Sequence, residues 1–150
     1  MGAGVCLRVA GPADAAQIAE ILRLSQRSLG FLPELHSADE DLAFVSDIML
    51  ASCEVIAADS AGDIVGFAAH SADWLNHLYL LPGWTGQGIG TVLLDRVRQG
   101  RNRLQLWTFQ ANQGARRFYE RHGFAAVEFT DGSGNEENLP DVRYVWERQS

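Results

Sequence analysis

Hydrophobic residues recur along the chain with two different periods, and each period predicts a different kind of element. Apolar residues that alternate or form short runs predict strands at 5–9, 53–59, 64–70, 74–81, 103–108, 124–130 and 142–148. Apolar residues three and four positions apart predict helices over about 12–28, 37–50, 88–99 and 113–122. The predicted order is therefore β-α-α-β-β-β-α-β-α-β-β.

Several local signals support these boundaries. The stripe of the first helix is formed by Ile18, Ile21, Leu22, Leu24 and Leu29. Ser37 and Glu40 form a capping box at the start of the second helix. Ala61 and Gly62 separate two apolar runs and predict a hairpin, and Gly123 is placed to end the last helix.

The order of the elements predicts how the strands pair. Three consecutive strands in the middle of the chain favour antiparallel pairing. The strand–helix–strand unit from 74–81 to 103–108 favours a parallel pair. We expect a single α+β domain over residues 1–150, with a mixed, mostly antiparallel sheet of six to seven strands and about four helices. A parallel pair inside such a sheet is a natural place for a crevice at the strand ends.

The composition is that of a globular protein, with 47% hydrophobic and 21% charged residues. No apolar run approaches the ~20 residues that span a bilayer, and the N-terminal residues lack the apolar segment of a secretory signal. We therefore expect a cytoplasmic protein without a membrane partner. Cys6 and Cys53 lie in apolar, strand-like contexts and are predicted to be reduced, buried thiols.

The net charge of −7, from 12 basic and 19 acidic residues, argues against a nucleic-acid partner. This charge is compatible with attraction of a small cationic substrate. Ordinary solubilising charge is the alternative.

The stretch LYLLPGWTGQGIGTVLL, residues 78–94, joins a strand to a helix through a glycine-dense turn. Gly86, Gly88 and Gly90 leave the main chain accessible, and the helix start adds free N–H donors and a positive dipole end. This pattern is typical of a phosphate or pyrophosphate site. Neither a Walker loop nor the dinucleotide spacing GxGxxG is present, and a turn without a ligand is the alternative.

Two motifs together resemble those of the GCN5-related N-acetyltransferase (GNAT) superfamily. Thr85-Gly86-Gln87-Gly88-Ile89-Gly90 resembles the signature [Gln/Arg]-x-x-Gly-x-[Gly/Ala], from which Thr85 departs. Asn112 followed by FYERHGF (118–124) resembles the family's Asn, its Tyr seven residues later and its Gly-Phe. The resemblance implies the acyl-CoA N-acyltransferase fold. It also implies acetyl transfer from acetyl-CoA to a primary amine, without a metal.

The resemblance also implies roles for individual residues. The pyrophosphate is expected at the main chain of Gly86, Gln87, Gly88, Ile89, Gly90 and Thr91. The main chain of Leu78, Tyr79 and Leu80 is expected to pair with the pantetheine arm and to polarise the acetyl carbonyl. Asn112 is expected to bind the cofactor arm, with a helix N-cap as the alternative. Tyr119 is expected to protonate the CoA thiolate, with a core aromatic as the alternative.

The general base is less defined by the sequence. Relatives in the family often use a Glu on the strand at 103–108, where this chain has Trp107. The candidates are His77, His70 and Glu128, and His77 is nearest to the glycine turn in sequence. A structural role for His77, or a chain of water molecules in place of a single base, are the alternatives.

The acceptor, a small-molecule or peptide amine, is expected between the first two helices and the polar linker at 131–141. The candidates for an apolar wall are Phe31, Leu32, Trp74, Trp84 and Trp107, with Trp84 expected to be the most exposed. The candidates for binding a cation are Asp131, Glu136, Glu137 and Asp141, with a solvated acidic loop as the alternative.

Direct attack of the amine on the thioester is expected, because neither cysteine lies near the glycine turn or beside an evident base. A catalytically weak module that binds acyl-CoA is the alternative function. A homodimer is compatible with the resemblance.

Overall fold

A computed structural model describes residues 4–149, so Met1, Gly2, Ala3 and Ser150 lie outside the described range. The strands are β1 Cys6–Val9, β2 Glu54–Ser60, β3 Asp63–Ser71, β4 Trp74–Leu80, β5 Arg103–Phe109, β6 Ala125–Phe129 and β7 Asp141–Glu147. The helices are α1 Ala15–Ser28, α2 Ala38–Phe44, α3 Leu50–Ser52, α4 Ile89–Arg98 and α5 Gln113–Arg121. A 3-10 turn, Pro12–Asp14, precedes α1, and a π-helical turn, Val45–Met49, joins α2 to α3 without a break.

The strands of the described residues form one sheet in the order β1-β2-β3-β4-β5-β7-β6. Neighbouring strands are antiparallel except β4 and β5, which are parallel. The predicted mixed, mostly antiparallel sheet is confirmed. The predicted α+β fold class with about four helices is also confirmed, because the continuous segment from α2 to α3 counts as one helix beside α1, α4 and α5. The parallel pair lies near the middle of the sheet, so helices must cover both faces around it.

Two hydrophobic cores lie on the two faces of the sheet. One lies beneath α4 and α5 and includes Leu93, Tyr119 and Tyr144. The other lies beneath α1 and the π-helical turn and includes Ile18 and Phe67. Side chains of β4 alternate between these cores, so that this strand presents residues to both layers.

The buried face of α1 differs from the predicted stripe at its C-terminal end. Leu24 is 37% exposed, whereas Ser25 is buried. The Ser25 hydroxyl donates to the Leu80 carbonyl oxygen at 2.6 Å, and this bond satisfies the polar side chain in the core. The prediction for Leu24 was wrong because a serine with a main-chain acceptor occupies the inward position instead.

The prediction of two buried thiols was also wrong. Cys6 is exposed on β1, an edge strand of the sheet, and Cys53 is partly exposed between α3 and β2. Both are free thiols, and the Cys53 sulfur lies 3.7 Å from the Asn76 side-chain oxygen. Within residues 4–149, no helix has both the length and the apolar character needed to cross a membrane.

Candidate active site

The parallel strands β4 and β5 separate almost as soon as they meet. Their ladder consists of the pair Trp74–Gln105, next to a bond from the Gln105 N–H to the Asp73 carbonyl oxygen at 2.8 Å. An irregularity in the β3–β4 register leaves Asn76 as an extra residue on β4, and such bulges bend a strand away from its neighbour. The second half of β4 therefore has main-chain groups that β5 does not pair.

A cavity of about 100 Å³ occupies the opening between the separated strands. It brings together five residues predicted for the site, namely His77, Leu78, Tyr79, Asn112 and Tyr119. Trp107 also lines it and is 42% exposed. No carboxylate is among its described lining residues, so an acidic base is missing from this part of the site.

Asn112 begins α5, and its side chain makes the N-cap bond that was the alternative to a cofactor contact. The Asn112 side-chain oxygen accepts from the Ala115 N–H at 3.1 Å. This bond occupies the side-chain oxygen. It does not use the side-chain NH₂ group, which is held in a fixed orientation by the same bond. The residue is thus fixed in the cavity wall by the helix that it begins.

Tyr119, on α5, is 8% exposed and lines the small cavity. Burial raises the pKa of its hydroxyl, and the neighbouring Tyr79 raises this pKa further. The phenol is therefore fully protonated at neutral pH and has a proton to donate. Ring packing against Phe124, at 5.5 Å between centroids, holds it in place.

His77 lines this cavity and a second, larger one. Its ring packs edge-on against Phe44 at 5.7 Å between centroids and lies 6.2 Å from the Tyr79 ring. Burial lowers the pKa of its imidazole to about 4, since the charged form loses hydration there. His77 is therefore neutral at physiological pH and has a free lone pair.

The other two candidate bases lie elsewhere. The nitrogen Nδ1 of His70 lies 2.7 Å from an Arg101 guanidinium nitrogen, and its Nε2 lies 3.1 Å from Glu54. Glu128 is paired with Arg143 at 2.9 Å on the outer strands. Neither residue lines either cavity, so the structure does not bring them together with His77 and Tyr119.

The glycine turn has the geometry of an anion site. Gly86 and Gly88 have φ angles of 78° and 85°, which favour glycine, and a Cβ at either position would point into open space. The first helical bond of α4 runs from the Val92 N–H to the Gly88 carbonyl oxygen, at 3.1 Å. Within the described chain, the N–H groups from Gln87 to Thr91 have no backbone acceptor, so they are free for phosphate oxygens.

The larger cavity, of about 610 Å³, lies between α1, the segment 32–36, α2 and the linker at 136–137. This is the region where the acceptor was expected. Leu32 lines it, but Phe31, Trp74, Trp84 and Trp107 do not. Trp84 is half-buried against the core beneath α4, so the expectation that it is the most exposed tryptophan was wrong, and Trp107 on β5 is more exposed.

The wall of the larger cavity is acidic. Its carboxylates are Glu34, Glu40, Asp41, Asp47, Glu136 and Glu137. Ion pairs join Arg23 to Asp41, Arg27 to Glu34 and His36 to Glu136 at 3.4, 2.9 and 2.8 Å. Three carboxylates have no cationic partner among residues 4–149, so the cavity carries net negative charge.

The two other acidic residues of the linker have structural roles. Asp131 accepts from the Ser133 N–H at 2.9 Å, and Asp141 accepts from the Asn135 amide at 3.2 Å. Neither lines the larger cavity. Of the four predicted cation-binding residues, only Glu136 and Glu137 therefore face the space where an acceptor would lie.

Comparison with known proteins connects this geometry to a family. The family model described as acetyltransferase (GNAT) domain matches residues 51–126, just over half of the chain. An uncharacterized N-acetyltransferase of Methanocaldococcus jannaschii is 32% identical over 114 residues, covering 65% of this chain and 45% of that protein. Peptidyl-lysine N-acetyltransferase YiaC of Escherichia coli is 30% identical over 88 residues, covering 58% of this chain and 60% of that protein. The chain thus spans less than two thirds of the length of either relative.

Solved structures share the fold across nearly the whole chain. A GCN5-related N-acetyltransferase from Rhodopseudomonas palustris has a TM-score of 0.77 at 24% identity, covering 99% of this chain and 98% of that one. The PaiA N-acetyltransferase from Thermoplasma acidophilum, solved in complex with coenzyme A, has a TM-score of 0.73 at 21% identity. That match covers 96% of this chain and 99% of the other. At these identities the likeness shows the fold alone.

Proposed function

We propose that this chain, which belongs to the GNAT family of acetyltransferases, transfers an acetyl group from acetyl-CoA to a cationic primary amine. One observation carries the proposal: the opening between β4 and β5 and the acidic cavity share His77 as a lining residue, so the two spaces meet at this side chain. A thioester and an amine could meet there from opposite directions.

The glycine turn fits the pyrophosphate of coenzyme A. The free N–H groups of residues 87–91 supply donors, the α4 dipole supplies positive potential, and the open space at Gly86 and Gly88 leaves room for a ligand. When bound, acetyl-CoA supplies the activated acyl group. From Leu78 to Leu80, β4 pairs with β3 along one edge but not with β5 along the other. The main-chain groups on that open edge, other than the Leu80 carbonyl oxygen that binds Ser25, are proposed to hydrogen-bond the amides of the pantetheine arm.

His77 is proposed as the group that receives the proton of the attacking amine. A free alkylammonium has a pKa near ~10.4, far above that of this imidazole, so His77 does not deprotonate the free ammonium efficiently. The amine therefore attacks in its neutral form, after one ammonium proton has passed to solvent. Its nitrogen becomes much more acidic as its bond to carbon forms, and the neutral imidazole then accepts the next proton. A chain of water molecules through the larger cavity is the alternative route.

Tyr119 is proposed as the acid that protonates the departing thiolate. Its burial keeps the phenol neutral, and it shares the small cavity with Asn112 and the open edge of β4. A thiolate released into the same apolar surroundings is also destabilised by burial, so the proton transfer is less unfavourable than the raised pKa of Tyr119 alone implies.

The acidic wall of the larger cavity supports a positively charged acceptor. Glu40, Asp47 and Glu137 line the cavity without a cationic partner in the described chain, so an ammonium group would gain Coulombic stabilisation there. The similarity to a peptidyl-lysine acetyltransferase supports a lysine side chain as one such acceptor, and a small cationic amine is the other. Attack is proposed to be direct.

A catalytically weak acyl-CoA-binding module is the second candidate, because no carboxylate of residues 4–149 lines the small cavity where Trp107 is exposed. The test measures coenzyme A affinity by calorimetry and thiol release with acetyl-CoA across cationic, neutral and acidic amines, including a lysine peptide. Thiol release that is greatest with cationic amines supports the acetyltransferase. Affinity for coenzyme A without thiol release for any amine supports the module, and no affinity removes both.

A further inference from the structure

Trp107 lies between the small cavity and an open part of the sheet. Residues of β5 alternate between the two faces, and Leu104 and Leu106 belong to the core beneath α4 and α5. Trp107 therefore lies on the opposite face, which is also the face of His77 and Tyr79 on β4. Because β4 and β5 separate, His77 and Trp107 line the opening from opposite sides.

The sheet face around Trp107 has no apolar cover. Among residues 4–149, the core beneath α1 includes no side chain from β5, β6 or β7. A polar network occupies this half of the face instead. Arg143 donates to Glu128 at 2.9 Å and to Gln105 at 3.0 Å. Gln105 in turn donates to Asp73 at 3.1 Å. Charged groups of this kind attract water, so solvent reaches the outer side of Trp107, which is 42% exposed.

Trp107 is also the part of the β5 wall that separates this solvent from the cavity. Of the other β5 residues that line the cavity, Leu106 is buried and Thr108 and Phe109 are partly buried. Phe31 packs edge-on against Phe109, at 6.0 Å between ring centroids, and covers that end of the strand. The indole of Trp107 is therefore the boundary between the cavity and the open face.

Water competes with the amine in the proposed reaction. In the transfer, the amine nitrogen bonds to the acetyl carbon as the carbon–sulfur bond breaks. In hydrolysis, a water oxygen forms that bond, the carbon–sulfur bond breaks, and the products are acetate and the coenzyme A thiol. The imidazole of His77 lines the cavity and can take the proton of either nucleophile. The site must therefore reject water by excluding it.

We propose that Trp107 selects the amine over water by shielding the thioester carbon from the solvent at the open sheet face. The indole closes the cavity on the β5 side, while the amine enters from the acidic cavity on the His77 side. Trp107 is a specificity residue, because its indole N–H is only a donor and carries no proton to the reaction. The inference rests on the proposed function, since it assigns the thioester to the small cavity.

The test compares Trp107→Val and Trp107→Phe with a matched control, Trp74→Val. Valine opens space at position 107 but keeps an apolar surface and a high strand propensity, whereas phenylalanine keeps a ring. Trp74 is paired with Gln105 on the same sheet face and is partly buried, but it lines neither cavity. Thermal melting confirms that the variants fold, and Trp107→Leu replaces Trp107→Val if valine prevents folding.

The first measurement separates transfer from hydrolysis in the full chain with acetyl-CoA. Thiol release gives total turnover, and mass spectrometry of an acetylated lysine peptide gives the transfer. We expect the ratio of hydrolysis to transfer to rise about tenfold in Trp107→Val, and to stay within about twofold of the unmodified chain in Trp107→Phe and Trp74→Val. A merely structural defect lowers both rates and leaves their ratio unchanged.

The second measurement does not depend on turnover. The chain has four tryptophans, and the indole N–H signal of Trp107 in an NMR spectrum is identified by its absence from Trp107→Phe. Trp74→Val identifies the signal of Trp74 in the same way. We expect saturating acetyl-CoA to shift the Trp107 signal and to leave the Trp74 signal little changed, because only the first indole borders the cavity.

An unchanged ratio in Trp107→Val overturns the inference alone. An equal rise in Trp74→Val also overturns it, because a general loosening of the sheet would then explain the hydrolysis. The same holds for a Trp107 signal that does not shift when the chain is saturated with acetyl-CoA. Absence of acetyl transfer from the unmodified chain to any amine overturns the proposed function, and the inference with it.

Discussion

At the scale of single residues, His77 links protonation to stability. Burial lowers its pKa in the folded chain to about 4, from an ordinary value of 6.5. Between these two pH values the unfolded chain binds more protons than the folded one, so the free energy of unfolding falls as pH drops through this window. We expect that in His77→Gln the free energy of unfolding falls less between pH 7 and pH 4.5, as measured by urea unfolding at the two pH values.

His36 provides a control of opposite sign. Its hydrogen bond to Glu136 raises the pKa of its imidazole, so its contribution to stability is present at low pH and is lost as pH rises through the raised pKa. In His36→Gln, the free energy of unfolding should therefore fall by the same amount or by more when the pH is lowered. Equal pH profiles for the unmodified chain and His77→Gln would contradict the burial of a neutral imidazole at position 77.

Tyr119→Phe isolates the proposed acid, because it removes one hydroxyl and keeps the ring packing against Phe124. We expect turnover to fall by about a hundredfold, at the lower end of general acid catalysis, with the affinity for coenzyme A little changed. Steady-state kinetics and calorimetry measure the two quantities. Tyr144→Phe is the control, since that hydroxyl is bound to Glu120 at 2.6 Å and lines neither cavity. If both variants had the same turnover, Tyr119 would not be the acid.

The motif alone directed attention to Asn112 and Tyr119, and the structure brings them into one cavity. No sequence signal marked the contacts that Ser25 and His122 make. Their partners, the Leu80 carbonyl and the Thr91 hydroxyl, lie on other elements 55 and 31 residues away. Contacts of this kind depend on tertiary packing, so a local pattern cannot predict them.

At the scale of elements, the glycine turn and α4 can be tested as one unit. Gly88 precedes α4 and Gly100 follows it, with φ angles of 85° and 72°, and a Cβ at either position meets open space. Alanine at each should therefore destabilise the fold by a similar amount, on the order of 1 kcal/mol. We expect Gly88→Ala to weaken coenzyme A binding at least tenfold and Gly100→Ala to leave it unchanged. Similar affinities for the two variants would contradict the placement of the pyrophosphate.

The order and type of the elements follow from the hydrophobic pattern, because burial on one face imposes a period on each helix and strand. The separation of β4 from β5 does not follow from that pattern. It depends on the extra residue Asn76 in β4 and on a β4–β5 ladder that is limited to the pair Trp74–Gln105. Both features concern the register between two strands, which the residues of a single strand do not determine. The sequence likewise did not predict the π-helical turn Val45–Met49, because the spacing of its apolar residues matches that of an ordinary α-helix.

At the scale of the whole molecule, two distant segments meet across the larger cavity. His36 follows α1 and Glu136 lies in the β6–β7 linker, 100 residues later, and their side chains are 2.8 Å apart. Both line the cavity. We interpret this pair as a clasp that holds the linker over the acceptor, and the raised pKa of His36 keeps the clasp charged through a wider range of pH.

Simple electrostatics and the clasp predict different results for a cationic acceptor. His36→Gln removes positive charge from the cavity wall and Glu136→Gln removes negative charge, so charge alone would shift the acceptor KM in opposite directions. If the clasp holds the linker, both variants raise the acceptor KM, by about two- to fivefold, and the KM of the double variant is no higher than that of either single variant.

Arg27→Gln is the control, because its partner Glu34 lies only a few residues away and the pair does not reach the linker. The coenzyme A affinity should not change in any of these variants, and opposite shifts for His36→Gln and Glu136→Gln would show that the pair acts through charge and not by closing the cavity.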